Sequence, residues 1–403
     1  MARTVFFYML AACVSGAGCT SSTRSKHEIA DSGNSTEVRV GGGCEGCELM
    51  FTGMPARIGP VSYSEGAGQN TTSLVITGTV FKNDGKTPAP GVIIYYWHTD
   101  QTGVYANRAG LDPRVKAHGY IRGWIKTDST GHYAIHTIRP APYANDVIPA
   151  HIHLSVKEPG IPNPYYMDWY FDDDTLLPAH YKKYKAENRG GSERLRILLT
   201  DTGQLAVHDI VLGLNIPNYP ESQTKQPDSG LHIGEDQPSF MPYHAFGPDK
   251  GSRACPVCRY GRFHGVLLFT GSQTNWDDVK KWLVFLEAES RKRKELLKVY
   301  FVYGNEKDYS HAQRVRELEN LGQELKLTQV ALTFVPSFTD ATSEINLSRI
   351  NPDVQNTFIV FRHRVIIDKY VNFSASAENF ERMQQILDDT SGAYFGLREP
   401  EFD

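Results

Sequence analysis

The sequence predicts a multidomain chain, with a β-sandwich over residues 44–220 followed by an α/β domain over 262–390. Three observations carry this. Between residues 70 and 216, short runs that alternate apolar and polar are separated by Gly, Pro and Asp turns, the pattern of half-buried strands packed face to face. A polar stretch at 218–240 interrupts that pattern. Beyond it, short continuous apolar runs alternate with segments whose apolar residues recur every three or four positions, as strands and helices do when they follow one another.

The elements follow in order. Residues 1–19 read as an export signal: Arg3 precedes an apolar run from Val5 to Val14, too short to span a bilayer, and small residues follow. The Ala17-Gly18-Cys19 ending resembles a bacterial lipobox, although Gly16 stands where leucine is usual. That resemblance implies a lipid anchor on Cys19 and a place in the periplasm or at the outer membrane; a plain secretory signal is the other reading. Residues 20–43, rich in Ser, Thr and Gly, read as a tether. Leu74 to Val80 alternates ahead of an Asp84-Gly85 turn. Trp124–Thr127 and His132–Thr137 flank Asp128-Ser129-Thr130-Gly131, which predicts a hairpin. A helical signal covers Pro178–Glu187, and Val207–Leu214 closes the strand series. Residues 221–261 read as a linker carrying one of two Cys-x-x-Cys units. Cys44/Cys47 and Cys255/Cys258 are expected to be two local disulfides in an exported protein, rather than one shared zinc site.

In the second domain, Val266–Phe269 is a buried strand, followed by a helix with Val279, Trp282, Leu283 and Leu286 on one face. Val299–Tyr303 is the next strand, and a helix covers 311–325. Thr357–Phe361 and Val365–Tyr370 form a hairpin, Phe380, Met383 and Leu387 line a final helix, and 391–403 is a tail. The basic run Arg291–Lys294 is expected to be a solvated helix terminus. The β-α-β-α-β-β-α order resembles a thioredoxin-like fold. The turn after the first strand, Gly271-Ser272-Gln273-Thr274-Asn275, has no cysteine, and Asn356 precedes Thr357 where such folds usually carry a proline. The resemblance therefore implies a docking or structural module rather than a thiol oxidoreductase.

The most informative stretch is Pro149-Ala150-His151-Ile152-His153-Leu154-Ser155. On a strand, His151 and His153 share a face while Ile152 points to the core. Two imidazoles at i and i+2 can converge on one metal ion. Tyr143, in a Pro-Ala-Pro-Tyr loop, and Tyr105, after a Gln-Thr-Gly-Val turn, are placed to aim inward. Zinc and copper favour His and Cys, so two phenols with two imidazoles suit a harder, more highly charged ion, with ferric iron the best match.

The run from Gly91 to Tyr105 is similar to the strand and turn of intradiol catechol dioxygenases, of the kind found in protocatechuate 3,4-dioxygenase β subunits. So are Thr127–Tyr133, Thr137–Tyr143 and the His-Ile-His strand, in the family's order across residues 70–220. The resemblance implies a β-sandwich holding Fe(III) through Tyr105, Tyr143, His151 and His153, and insertion of O₂ into a small aromatic diol. Two positions depart from the family. An arginine usual three residues before the first histidine is Ile148, and a glutamine usual before the Tyr-Phe of the next strand is Asp168. Arg122 is the candidate to supply the missing positive charge, with Arg139 behind it. Family members are commonly oligomeric, which makes a homo-oligomer an expectation. The alternative function is a non-catalytic, transthyretin-like binding or assembly module. A net charge of −4 and the lack of a basic stripe argue against a nucleic-acid surface.

Overall fold

The computed structural model describes residues 39–400 apart from 45, 68–72, 145, 221–227, 261–262 and 308. The expected export signal with Cys19, the tether as far as residue 38 and residues 221–227 of the expected linker lie outside the described residues. The first domain supplies β1 (Val61–Tyr63), β2 (Ser73–Phe81), β3 (Ile93–Trp97), β4 (Arg122–Lys126), β5 (His132–Ile138) and β6 (His151–Lys157). It continues with β7 (Tyr165–Phe171), helix α1 (Leu177–Lys183), β8 (Arg194–Leu195), β9 (Leu198–Thr200), β10 (Gly203–Val207) and β11 (Ile210–Val211). Strands β1-β5-β2-β10-β9 form one sheet, with β11 also on β2, and β4-β3-β6-β7-β8 form the other.

The alternating residues explain why these strands face one another. Leu74, Ile76 and Val80 of β2 are buried against Ile94 of β3, Ile152, Leu154 and Val156 of β6, and Met167, Trp169 and Phe171 of β7, in one apolar core. The Asp128–Gly131 turn does not close a hairpin: β4 pairs with β3, whereas β5 pairs with β2 and β1 in the opposite sheet. The turn chemistry is as expected, since Asp128 Oδ1 accepts from the Thr130 and His132 amides, both at 2.9 Å. Gly131, at φ +75°, brings its backbone so close to Val80 that a Cβ would lie 2.5 Å from that carbonyl oxygen. Such residues specify a tight turn, not the sheet in which the next strand lands.

The second domain has one six-stranded sheet. Its elements are β12 (Tyr243–Phe246), α2 (Pro256–Tyr260), β13 (His264–Thr270), α3 (Trp276–Arg293), β14 (Leu297–Gly304) and α4 (His311–Glu324). They continue with β15 (Ala331–Val335), β16 (Thr357–Arg362), β17 (Val365–Val371) and α5 (Ala377–Asp389). The strand order is β12-β15-β14-β13-β16-β17, with β13, β14 and β15 parallel and β16 antiparallel to β13. Val279, Trp282, Leu283 and Leu286 are buried under α3, as the helical spacing requires. The β16–β17 hairpin forms, with His363 and Arg364 both at positive φ, the backbone of a two-residue type I′ connection. Strand β12 falls inside the segment expected to be linker, and β15 was not anticipated. Arg293 is not a solvated terminus: its side chain is 10% exposed and pairs with Glu289 and Asp388, tying α3 to α5.

Both Cys-x-x-Cys units are closed on themselves as disulfides, Cys44–Cys47 and Cys255–Cys258. The two domains are joined through the stretch around Gly234, whose carbonyl accepts from the Ser192 amide of the first domain at 2.7 Å. The Gly234 amide donates to the Ile366 carbonyl at 2.8 Å and the Ile366 amide to Glu235 at 2.9 Å. Arg196, paired within its own domain to Asp172 at 3.2 Å, adds an ion pair to Asp236 at 3.2 Å and donates to the His363 carbonyl at 3.0 Å. Among the described residues, no helix is long and apolar enough to cross a membrane.

Candidate metal centre

The outer face of the β4-β3-β6-β7-β8 sheet carries the candidate site. Strand registers set Trp97, His153 and Asp168 side by side on β3, β6 and β7, with His151 opposite Tyr170. Two loops bring the tyrosines over this row. Asp100 Oδ1 accepts from the Thr102 and Val104 amides and shapes the turn before Tyr105. Thr99 Oγ1 donates to the Ala141 carbonyl at 2.8 Å, and the Ala141 amide donates to Asp100 at 3.0 Å, lashing this turn to the loop of Tyr143. Gly103, at φ +77°, permits the contact, because a Cβ there would lie 2.0 Å from the Pro142 carbonyl oxygen.

Four polar atoms converge. Tyr105 Oη lies 2.7 Å from Tyr143 Oη and 2.7 Å from His153 Nε2. Tyr143 Oη lies 3.1 Å from His151 Nε2 and 3.3 Å from His153 Nε2, and the two imidazole Nε2 atoms are 3.1 Å apart. The backs of the rings decide their tautomers. His151 Nδ1 faces the Pro149 carbonyl at 2.7 Å, and His153 Nδ1 faces Asp168 Oδ1 at 2.7 Å. A carbonyl and a carboxylate only accept, so both Nδ1 atoms carry a proton, and each ring in its neutral form presents a lone pair at Nε2. Two lone pairs and two phenol oxygens thus share one small space with at most two protons among five close contacts. A cation in their midst satisfies all four. Donors about 2 Å from one ion stand about 3 Å from one another, as these do.

Electrostatics agree with that reading. Burial first, then the adjacent Tyr143 and the Asp168 charge, push the Tyr105 hydroxyl far above the ordinary phenol range, so it ionises only against a cation. Burial and the neighbouring His153 hold His151 down to about 4, leaving it neutral and free to ligate at neutral pH. Burial raises the Asp168 carboxyl, but the hydrogen bond from His153 and the attraction of the imidazoles, with a further hydrogen bond from Tyr166, outweigh it and leave it below its usual range. Among the described residues no group of three or more His, Cys, Asp or Glu gathers as a metal site. This cluster becomes a four-donor set only through its tyrosines.

The other expected residues sit apart from the four. Arg122 is on the same sheet face, opposite Trp97, but its guanidinium donates to the Thr52 carbonyl at 3.1 Å and to Tyr95 Oη at 3.4 Å. Arg139 is held by Asp173 through two 2.7 Å contacts. Asp168 belongs behind His153, where it also accepts from Tyr166 Oη at 2.6 Å, rather than facing a substrate. Sequence reasoning missed Tyr166 and Trp97. Their signal is positional, since Tyr166 and Asp168 alternate on β7 as His151 and His153 do on β6. The Cys44–Cys47 disulfide leads into a 3₁₀ turn over Cys47–Phe51 that covers the same face, with the Trp124 indole donating to the Met50 carbonyl at 2.6 Å.

Residues 53–189 match the family model described as Dioxygenase. A catechol 1,2-dioxygenase of Acinetobacter baylyi is 30% identical over 129 residues, covering 28% of this chain and 40% of that protein. A chlorocatechol 1,2-dioxygenase of a Pseudomonas species is 32% identical over 115 residues, covering 25% of this chain and 43% of that protein. These matches support the intradiol dioxygenase family for this segment. The chain spans about 40% of the length of the curated relatives it matches. Among solved structures, the dioxygenase domain of a dioxygenase–carbohydrate-binding fusion from a cellulolytic Streptomyces is 22% identical at a TM-score of 0.31, covering 40% of this chain and 91% of that one. A hydroxyquinol 1,2-dioxygenase from Pseudomonas putida is 21% identical at a TM-score of 0.31, covering 45% and 68%.

Proposed function

We propose that this chain is a non-haem Fe(III) intradiol dioxygenase that cleaves a catechol-like ring with O₂. The observation that carries the reading is the meeting of two imidazole Nε2 atoms and two phenol oxygens within 2.7–3.3 Å of one another. Bound there, ferric iron would make a catecholate reactive toward O₂. Both oxygen atoms would enter between the hydroxyl-bearing carbons, break that C–C bond and leave a dicarboxylic acid, so no external reductant is consumed. The chain's own contribution is to hold the donors. Tyr105 and Tyr143 supply negative charge and are the bases nearest an incoming diol proton, and His151 and His153 supply neutral nitrogen in fixed tautomers. Arg122 enters only as a cation on the same sheet face.

Two further readings complete the proposal. The β14-β13-β16-β17 order, with α3 and α4 as crossovers, supports a thioredoxin-like scaffold for the second domain. The apolar run and Ala17-Gly18-Cys19 support export with a lipid anchor; Cys19→Ala should shift the protein from the membrane to the soluble fraction, and an unaltered distribution would remove the anchor from the proposal.

Metal analysis with an absorption spectrum, before and after adding catechol, tests the central claim. One iron per chain, a phenolate-to-iron band in the visible and a shift of that band on catechol addition are expected. A colourless protein, or one filled with zinc alone, would favour the binding-module alternative.

A further inference from the structure

The two imidazoles of the candidate site are backed by different chemistry. His151 Nδ1 donates to the Pro149 carbonyl, a neutral acceptor, at 2.7 Å. His153 Nδ1 donates to Asp168 Oδ1 at 2.7 Å, and the same oxygen accepts from Tyr166 Oη at 2.6 Å. A direct contact between Tyr166 Oη and His153 Nδ1 closes this triangle. The β6–β7 register sets His153 opposite Asp168, and Trp97, opposite His153 on β3, lies with its ring centroid 5.1 Å from the imidazole at 29°. His153 is thus fixed at its back and on one face, and its remaining nitrogen points at Tyr105.

We infer that Asp168, braced by Tyr166, is a positioning residue that makes His153 the stronger of the two nitrogen donors and biases the site toward ferric over ferrous iron. The inference rests on the iron reading above. A carboxylate polarises the Nδ1–H bond and raises electron density at Nε2, which a peptide carbonyl does less, and outer partners of this kind fix ring orientation and basicity. The added negative charge behind a ligand favours the higher oxidation state by simple Coulomb attraction. At this position the resembling family usually carries a neutral glutamine, so the effect belongs to this chain. It bears on the metal's electronics, because the Asp168 carboxylate meets the four-donor set through His153.

The test is Asp168→Asn in the full-length protein, which keeps the shape and removes the charge. Chelator competition should show Fe(III) held roughly 10–100-fold more weakly, the usual effect of losing such a partner. If the loss falls on the ferric form, the Fe(III)/Fe(II) midpoint potential rises by about 60–120 mV, at about 59 mV per tenfold for one electron. Tyr166→Phe removes the second donor to Asp168 Oδ1 and leaves more of its charge to His153, so both readouts should move by less and in the opposite direction, and this decides the matter should Asp168→Asn fail to fold. A purely structural role would lower thermal stability and leave the potential of the iron-loaded variants unchanged. That outcome, with unchanged affinity, overturns the inference while the wild-type iron stands. A wild-type protein that takes up no iron overturns the functional reading instead.

Discussion

The two faces of the β4-β3-β6-β7-β8 sheet are made by the same residues taken alternately, and they hold opposite chemistry. Inward, Ile94, Ile152, Leu154, Trp169 and Phe171 are almost wholly buried against the opposing sheet. Outward, Trp97, His151, His153, Tyr166 and Asp168 make a polar and aromatic row beneath the loops of Tyr105 and Tyr143. The inner face stabilises the fold through the burial of whole side chains, roughly 1.5–3 kcal/mol each. The outer face presents a cluster of donors that only a cation fully satisfies. A period of two thus separates stability from chemistry along a single strand, and a substitution on one face should leave the other's property largely intact.

The widest separation is expected from paired variants. Tyr105→Phe combined with Tyr143→Phe keeps ring volume and removes both phenol oxygens, so the visible band and tight iron binding should vanish while stability changes by only about 1–2 kcal/mol, the worth of a few hydrogen bonds. Ile94→Ala should do the reverse. It opens a cavity in the inner layer, where such truncations cost about 2–5 kcal/mol, and the folded protein should still bind iron in full. Metal content and denaturant melts of both proteins measure the contrast. Full iron in the tyrosine double variant, or lost iron in a folded Ile94→Ala protein, would show that the two faces do not divide chemistry from stability.

Much of this arrangement was legible in the sequence, and the remainder has identifiable causes. The convergence of His151, His153, Tyr105 and Tyr143 could be anticipated because strand alternation fixes the histidine face and the two turns are marked by their own residues. The place of Asp168 could not, because it depends on which strand lies beside β6 and in what register, a property of two segments rather than one. The same reason explains the Asp128–Gly131 turn, whose residues specify a reversal and say nothing of the sheet that receives it. Strand β15 escaped notice because Thr333 interrupts its five residues, Ala331–Val335, and leaves no continuous apolar run of the kind that marks β13. Strand β12 is four residues at a sheet edge within a polar stretch. Of the basic run at the end of α3, Arg291, Lys292 and Lys294 are exposed as a solvated terminus would be, and Arg293 alone is drawn in, because its partner Asp388 arrives from α5.

A smaller effect is expected on the inner side. His98 follows outward-facing Trp97 on the chain and turns inward, where it is buried and bridges the sheets. Its Nδ1 donates to the Thr99 carbonyl at 2.7 Å, so Nε2 is the acceptor for Thr137 Oγ1 at 2.7 Å, and Thr137 in turn contacts Ser64 Oγ at 2.7 Å. This relay requires a neutral ring. Burial holds His98 down to about 4, partly offset by the Thr99 carbonyl and reinforced by the charges of His153 and His151. An unfolded histidine takes up its proton near 6.5, so between that pH and about 4 the unfolded chain binds a proton that the folded one refuses. The contribution is therefore fully present above about 6.5 and is lost as pH falls, up to about 3 kcal/mol in all at about 1.4 kcal/mol for each unit. Urea melts of metal-free protein from neutral pH downward should show stability falling across this window. His98→Gln, which can still hydrogen-bond but does not titrate, should reduce that slope by one proton's worth and leave the visible band of the iron-loaded protein at neutral pH unchanged. A band that shifts in His98→Gln would mean that the inner layer reaches through the sheet to the metal, and the division between the two faces would fail.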